Sequence, residues 1–273
     1  MPENIAEIKF NALTSEHLKG ANPIVACVET YDDKSSFRER VDEYADANDT
    51  LYVDFFQMPE QSDKKGIKSG GEQTYVISPS NELNKLSTLY KNCTGVVVTG
   101  QSKDTGKNIS LLTHQNPRHF LPEGNARNSF LSHLRDGLLD LKEKCVPETV
   151  DAVIIGGNYP SKEYDDTEKR TAYQEKHTGT VKILSYKDET LRDKSRLAYL
   201  DSVKLLSKEI SDVFGFEPVI ITGPKGTEGS DCVFYENDSR HLTLVRPEVG
   251  NATTESFTLK DLEAREKAWS ESE

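Results

Sequence analysis

Cys93 and His114 are the residues whose types and spacing best fit catalytic chemistry. Cys93 precedes the β-rich run 94–99, and His114 ends the β-rich run 109–114. If these runs form a hairpin closed symmetrically about residues 103–104, Cys93 lies directly opposite His114, with Cβ atoms about 4.5 to 5.5 Å apart. We therefore expect the thiol and the imidazole to share a proton, which is a standard way to raise the fraction of nucleophilic thiolate.

A purely structural interpretation of the same pair is also open. In it, Cys93 is a half-buried cysteine at the start of a strand, and His114 is an incidental polar residue at a strand end. Register decides between the two, because a slip of one residue would place the side chains on opposite faces of the sheet. Small residues follow Cys93, namely Thr94 and Gly95, and would let a substrate backbone approach.

The composition disfavours several other classes of function. The chain has 273 residues and a formal net charge of -12, from 46 acidic and 34 basic residues, so binding to a nucleic-acid backbone is not expected. No stretch approaches the roughly 18 to 20 apolar residues of a membrane span, and residues 1–10 lack the apolar core of a cleaved signal. We predict no nucleic-acid or membrane partner and a cytoplasmic location.

The other three cysteines, Cys27, Cys145 and Cys232, are spaced too widely for a metal knuckle or a dense disulfide framework. We interpret all three as reduced thiols, with Cys232 in the core and Cys27 and Cys145 either buried or incidental. Symmetric closure of a second predicted hairpin would place Thr243 opposite Cys232, which supplies no base. Since no metal-ligand spacing and no phosphate loop of the right length is present, we predict no metal and no cofactor.

Hydrophobic periodicity predicts strands and helices along most of the chain. The predicted strands are residues 24–29, 51–56, 74–77, 94–99, 109–114, 152–155, 181–184, 219–222, 232–235 and 242–245. The predicted helices are residues 35–47, 79–90, 130–141, 191–214 and 259–269.

The order strand-helix-strand-strand occurs twice in this prediction, at residues 74–114 and 181–245, and each copy ends in a hairpin. Two such units can stack two mixed sheets with the helices outside. We therefore predict an α+β fold, a layered α/β/β/α sandwich built on two strand-helix-strand-strand units.

The predicted domain organisation centres on a sandwich domain at residues 73–250. A βαβ-like pattern at residues 1–60 is either a separate substrate-recognition module or a set of edge strands of the same sandwich. A loop at residues 61–72 joins it to the sandwich, and a charged helix at residues 251–273 follows.

The run 89–98, Leu-Tyr-Lys-Asn-Cys-Thr-Gly-Val-Val-Val, with His114 one strand later, resembles the Cys-strand-His arrangement of two families. These are the chemoreceptor glutamine deamidases and the deamidase toxins of the cytotoxic necrotizing factor type. The run 154–157, Ile-Ile-Gly-Gly, resembles the glycine-ended buried strand that follows the catalytic histidine and a helix in the chemoreceptor deamidases. The resemblance covers roughly residues 74–246 and implies a four-layer α/β/β/α sandwich and a cysteine hydrolase.

The resemblance also implies roles for individual residues. Cys93 would be the nucleophile and His114 its proton partner, in a reaction that deamidates a glutamine side chain of a protein substrate through a thioester. These families often place a threonine five or six residues before the cysteine, which implies Thr88, or alternatively Ser87, as a third polar group. His119 is the alternative histidine, because an apolar-Leu-Pro sequence commonly follows the family's histidine and here follows His119.

The sequence departs from the family in two respects: the Cys-to-His spacing is longer, and the Leu-Gly-Ser-Cys type sequence is absent. Other functions therefore stay open. A transglutaminase or a peptidase would use the same Cys-His dyad, and a non-enzymatic protein-binding domain would use the same fold with an inert Cys93. The acidic C-terminal segment would also suit a bacterial effector exported without a cleaved signal peptide. The sequence predicts neither the target protein nor the oligomeric state.

Overall fold

A computed structural model describes residues 4–8, 17–31, 33–47, 49–54, 65–70, 74–90, 93–117, 121, 124–158, 189–223, 231–246 and 255–270. The strands are β1 (Asn4–Ile8), β2 (Val25–Thr30), β3 (Thr50–Tyr52), β4 (Lys68–Ser69), β5 (Tyr75–Ile77), β6 (Asn84–Ser87), β7 (Thr94–Gln101), β8 (Asn108–Gln115), β9 (Asp151–Asn158), β10 (Val219–Gly223), β11 (Cys232–Glu236), β12 (His241–Arg246) and β13 (Glu255–Phe257). The helices are α1 (Lys34–Asp46), α2 (Asn125–Lys144), α3 (Glu189–Phe214) and α4 (Leu259–Ser270).

The described strands form two mixed sheets. The first sheet has the order β1-β2-β12-β11-β6-β3, and the second has the order β13-β10-β9-β7-β8-β5-β4. Parallel pairs join β2 to β12, β3 to β6 and β9 to β10, and the other neighbours are antiparallel. Strand β7 lies in the middle of the second sheet between β8 and β9, so both of its edges are paired.

An apolar layer lies between the two sheets. Val97 and Leu112 of the second sheet belong to the same buried cluster as Leu244 of the first sheet. Because side chains alternate along a strand, the neighbouring residues Val98 and Leu111 point to the other side of the second sheet and belong to a different cluster. A strand that is buried on both faces needs apolar residues at successive positions. This explains the continuous apolar runs in the sequences of β7 and β8.

Helices cover the outer face of each sheet. On the first sheet, Tyr44 of α1 stacks on Phe234 of β11 with ring centroids 4.0 Å apart. On the second sheet, Leu134 of α2 and Val203 of α3 pack in one cluster with Val98. The order of layers is therefore helix, sheet, sheet, helix, and the predicted α+β fold with an α/β/β/α arrangement is confirmed.

The predicted helix at residues 79–90 is wrong, because Asn84–Ser87 is a strand. Its leucines have helical spacing, but β6 pairs with β11 on one side and with β3 on the other, which places Leu86 opposite Phe234. Sheet pairing with distant strands outweighs the local period. The first predicted strand-helix-strand-strand unit therefore lacks its helix, and the first strand of the second unit, residues 181–184, lies outside the described residues.

The N-terminal strands pair with strands from the rest of the chain. Strand β2 lies between β1 and β12, and β3 forms the edge of the first sheet beside β6. The segment predicted as a loop, residues 61–72, contains the short strand β4 at the edge of the second sheet. Near the C-terminus, β13 precedes α4 and pairs with β10.

Candidate functional site

The hairpin formed by β7 and β8 has a different register from the predicted one. Thr94 pairs with Gln115, so Cys93 and His114 are diagonal neighbours and the prediction that they face each other directly is wrong. The physical reason is that β7 continues through Gln101, whose backbone N–H donates to Thr149 Oγ1 at 2.8 Å, so the turn lies further along the chain. The shift is two residues, and a shift of two keeps both side chains on one face of the sheet.

The imidazole of His114 is completely buried between the sheets. A hydrogen bond of 3.1 Å joins its Nδ1 to the hydroxyl of Ser87, which lies at the end of β6 in the first sheet. The ring also stacks on Tyr90, with centroids 4.0 Å apart and planes inclined by 16°. Burial lowers the pKa of His114 to about 3, because the interior disfavours the charged imidazolium. The ring is therefore held on two sides and is neutral at rest.

Ser87, and not Thr88, is the hydroxyl that contacts His114. Because successive side chains of an extended chain point in opposite directions, Thr88 is directed elsewhere. Its Oγ1 donates to Oδ2 of Asp54 at 2.6 Å and lies 3.0 Å from the hydroxyl of Tyr52. Of the two hydroxyls implied by the resemblance, the structure brings Ser87 to the histidine and Thr88 to a carboxylate.

Cys93 lies at the entrance to β7 and belongs to the same inter-sheet cluster as Tyr90. Its side chain is only 8% exposed. Burial, and to a lesser extent the negative charge of Asp54, raises the pKa of the Cys93 thiol to about 12. Burial therefore favours the neutral thiol and the neutral imidazole, whereas the sequence predicted a thiolate fraction raised by the imidazole.

Two glycines make room for this arrangement. A Cβ on Gly95 would lie 2.4 Å from the carbonyl oxygen of Thr113 and 2.7 Å from the ring of Tyr90. A Cβ on Gly156, which has φ of 78°, would lie 2.5 Å from the carbonyl oxygen of Cys93. Gly156, the first glycine of the Gly-Gly sequence in β9, therefore lets β9 approach the backbone of Cys93.

Sequence reasoning missed Asp54. It follows β3 and is almost fully buried, and its carboxylate joins Thr88 to Tyr52 by hydrogen bonds. The available signal was an acidic residue within the apolar run 51–56, Leu-Tyr-Val-Asp-Phe-Phe, where a buried carboxylate requires hydrogen-bonding partners. The alternative histidine, His119, lies outside the described residues.

The remaining three cysteines, all within the described residues, form no disulfide bond and lie in other environments. Cys145 and Cys232 are buried, and burial raises the pKa of each. Cys27 is half-buried, with its sulfur 3.5 Å from the hydroxyl of Thr243. The predicted pairing of Cys232 with Thr243 is wrong, since Cys232 pairs with Val245.

Within the described ranges, no group of three or more His, Cys, Asp or Glu side chains is arranged to hold a metal ion. None of the helices in this part of the chain combines the length and the apolar composition that crossing a membrane requires. A comparison of the sequence with models of known protein families and with curated proteins gave no match.

Proposed function

We propose that this protein is a cysteine hydrolase that acts on a carboxamide, and specifically a protein-glutamine deamidase with Cys93 as nucleophile and His114 as its proton partner. The observation that carries the proposal is the hydrogen bond between Ser87 and His114, which holds the imidazole on the same face of the second sheet as Cys93. The four-layer fold agrees with what the resemblance to glutamine deamidases implies.

In the proposed reaction, the Cys93 sulfur attacks the carbonyl carbon of a glutamine side chain while its proton moves to His114. The C–N bond then breaks, and ammonia leaves with the proton from the imidazolium. Water attacks the resulting thioester with His114 as base, which restores the thiol and leaves a glutamate side chain. Because burial disfavours both charged forms, proton transfer accompanies attack and no ion pair forms beforehand.

Ser87 and Tyr90 are positioning residues in this mechanism. The hydroxyl of Ser87 occupies Nδ1, so the proton-transferring nitrogen is Nε2. The ring of Tyr90 packs on the imidazole and donates its own hydroxyl proton to the carbonyl of Thr113 at 2.9 Å. Both contacts restrict rotation of the imidazole, which lowers the entropic cost of reaching the reactive geometry.

The test is ammonia release from glutamine-containing peptides and from a protein extract, followed by mass spectrometry of the conversion of glutamine to glutamate. Cys93→Ser should abolish release while the circular dichroism spectrum stays unchanged. Cys27→Ser, a substitution of the half-buried thiol outside the site, should retain it. Full release from the Cys93→Ser protein would refute the proposal. Adding a primary amine separates a transglutaminase, which forms an amide, from a deamidase, and cleaved chains would identify a peptidase.

The alternative is a non-enzymatic protein-binding domain with an inert Cys93. What favours it is that burial raises the pKa of Cys93 to about 12 and lowers that of His114 to about 3, both away from an activated dyad. This alternative predicts no ammonia release that depends on Cys93 and the same partner binding for wild type and Cys93→Ser.

A further inference from the structure

Ser87 and Tyr90 contact the same imidazole although they are three positions apart in the chain. Ser87 shares a hydrogen bond of 3.1 Å with Nδ1 of His114, and the ring of Tyr90 stacks on that imidazole with centroids 4.0 Å apart. In an extended chain, side chains two positions apart point to the same side and side chains three positions apart point to opposite sides. A regular continuation of β6 would therefore direct Leu89, and not Tyr90, towards His114.

The backbone of Leu89 reverses this alternation. Its φ is 68°, in the left-handed region, and its side chain is 44% exposed. The preceding residue, Thr88, still follows the alternation, since it points away from the imidazole and donates its hydroxyl proton to Asp54 at 2.6 Å. One left-handed residue after Thr88 thus leaves Leu89 exposed and brings Tyr90 back to the inner side.

A left-handed backbone is unusual for a leucine. Among the described residues, the other non-glycine residues with positive φ are Asp49 and Arg240, and both lie in turns. For a bulky residue outside a turn, this conformation is an outlier that persists only where the surrounding structure enforces it. Such strain is concentrated at functional sites, so the groups that Leu89 positions are candidates for function.

The contacts of Tyr90 hold Leu89 in this conformation. The backbone N–H of Tyr90 donates to the carbonyl oxygen of Asp231 at 3.3 Å, and its hydroxyl donates to the carbonyl oxygen of Thr113 at 2.9 Å. The ring also lies against Gly95, where an added Cβ would be 2.7 Å from it. Because Tyr90 is fixed at its backbone, its ring and its hydroxyl, Leu89 cannot relax without breaking these contacts.

We propose that Leu89 is a positioning residue of the Cys93–His114 site, and that its left-handed backbone places Tyr90 on the imidazole beside Ser87. The proposal rests on the deamidase function proposed above. The backbone conformation carries the effect, and the exposed leucine side chain does not. The effects of substitutions at position 89 should therefore follow tolerance of positive φ, and not size or apolarity.

The experiment compares three substitutions that separate backbone preference from side-chain chemistry. Leu89→Ile keeps the size and the apolar character but branches at Cβ, which makes positive φ more costly. Leu89→Asn and Leu89→Gly lose the apolar side chain but tolerate positive φ. If Leu89 instead contacted the substrate through its side chain, Leu89→Ile would be the mild change and the other two would be severe.

The first measurement is the rate of ammonia release from a glutamine-containing peptide by the full chain, which gives kcat and KM. Leu89→Ile should lower kcat about tenfold and leave KM unchanged, because small displacements of the reacting groups are costly. Leu89→Asn and Leu89→Gly should stay within about twofold of wild type. The matched control is Asp49→Gly, at the exposed positive-φ residue before β3, and it should equal wild type.

The second measurement is hydrogen-deuterium exchange at the C2–H of the His114 imidazole, followed by peptide-resolved mass spectrometry with His133 on α2 as internal reference. It reports how well the ring is covered and requires no turnover. Leu89→Ile should raise exchange at His114 about tenfold relative to His133, because the added strain favours states in which Tyr90 leaves the ring. Leu89→Asn and Leu89→Gly should leave it unchanged.

Equal kcat, or equal exchange at His114, in wild type and Leu89→Ile would overturn the positioning role. So would a loss of kcat in both Leu89→Asn and Leu89→Gly, and these two variants decide if Leu89→Ile does not fold. The outcome is separable from the proposed function. Raised exchange in Leu89→Ile without ammonia release that depends on Cys93 refutes the deamidase alone. Ammonia release that depends on Cys93, with unchanged kcat in Leu89→Ile, refutes the positioning role alone.

Discussion

The β7–β8 hairpin and the β11–β12 hairpin both have a cysteine at or directly before the start of their first strand, but the two cysteines lie in different surroundings. Cys93 precedes β7, and Cys232 starts β11. Cys232 packs beneath α1 with Phe234 and Tyr44, whereas Cys93 points into the layer between the sheets. A cysteine at the start of a hairpin is therefore not a site by itself, because the face that it occupies decides which side chains it meets.

The positions that follow each cysteine sharpen the contrast. Gly95 lies two residues after Cys93, and its missing side chain leaves space for the ring of Tyr90. Phe234 lies two residues after Cys232, and its own ring packs against Tyr44. The β7–β8 hairpin accommodates the ring of Tyr90, which precedes β7, and that ring stacks on His114. The second hairpin supplies its own ring, and an ordinary apolar contact with α1 results.

The largest effect is expected from filling the space that distinguishes the first hairpin. Gly95→Ala should lower the free energy of unfolding by about 3 kcal/mol, because its Cβ would clash with the Thr113 carbonyl and the Tyr90 ring. The control is Gly106→Ala in the turn, which has φ of 70° and open space around it, and which should cost about 1 kcal/mol. Urea unfolding measures both, and equal losses would contradict the packing argument.

A second, intermediate effect concerns the hydroxyl that holds His114. Ser87→Ala should lower stability by about 1 to 2 kcal/mol, since a buried ring nitrogen loses a hydrogen-bonding partner. Under the proposed function it should also slow ammonia release about tenfold, with little change in KM, because ring orientation is lost. Thr243→Val in the second hairpin is the matched control, and its rate of ammonia release should equal that of wild type. Similar rates for Ser87→Ala and wild type would remove Ser87 from the site.

The smallest effect is a difference in thiol titration between the two cysteines. With a pKa of about 12, the thiolate fraction of Cys93 should rise about tenfold for each pH unit between pH 7 and 10, and its alkylation by iodoacetamide should rise in parallel. Cys232, which is fully buried, should stay unlabelled until the chain unfolds. A plateau in the Cys93 rate near pH 8.5 would show an ordinary thiol, and rapid labelling at pH 6.5 would show a preformed ion pair.

Much of the fold follows from local patterns in the sequence. Val96 to Val98, Leu111 to Leu112 and Ile154 to Ile155 are apolar runs that suit strands buried on both faces, and they form the centre of the second sheet. The buried positions of α2, Phe130, Leu134, Leu138 and Leu141, show the helical period directly. These elements are predictable because each depends on residues close together in the chain.

The details of the candidate site were less predictable. The helix predicted around Leu86 is a strand because two distant strands pair with it. The hydroxyl that reaches His114 belongs to Ser87, 27 residues earlier in the chain, and the carboxylate that accepts from Thr88 belongs to Asp54, 34 residues before that threonine. The hydrophobic periodicity of a short segment cannot predict contacts between residues that are far apart in the chain.

The sequence by itself determined most of the helices and strands, the α+β class and the choice of Cys93 and His114 as candidate site residues. Only the tertiary structure decided their register, the identity of the hydroxyl on the imidazole, and the burial that raises the pKa of Cys93 and lowers that of His114. The physical reason is the distance along the chain over which residues must interact to produce each feature. Periodicity acts over a few residues, whereas register, burial and electrostatic fields depend on the packing of two sheets whose strands are far apart in the chain.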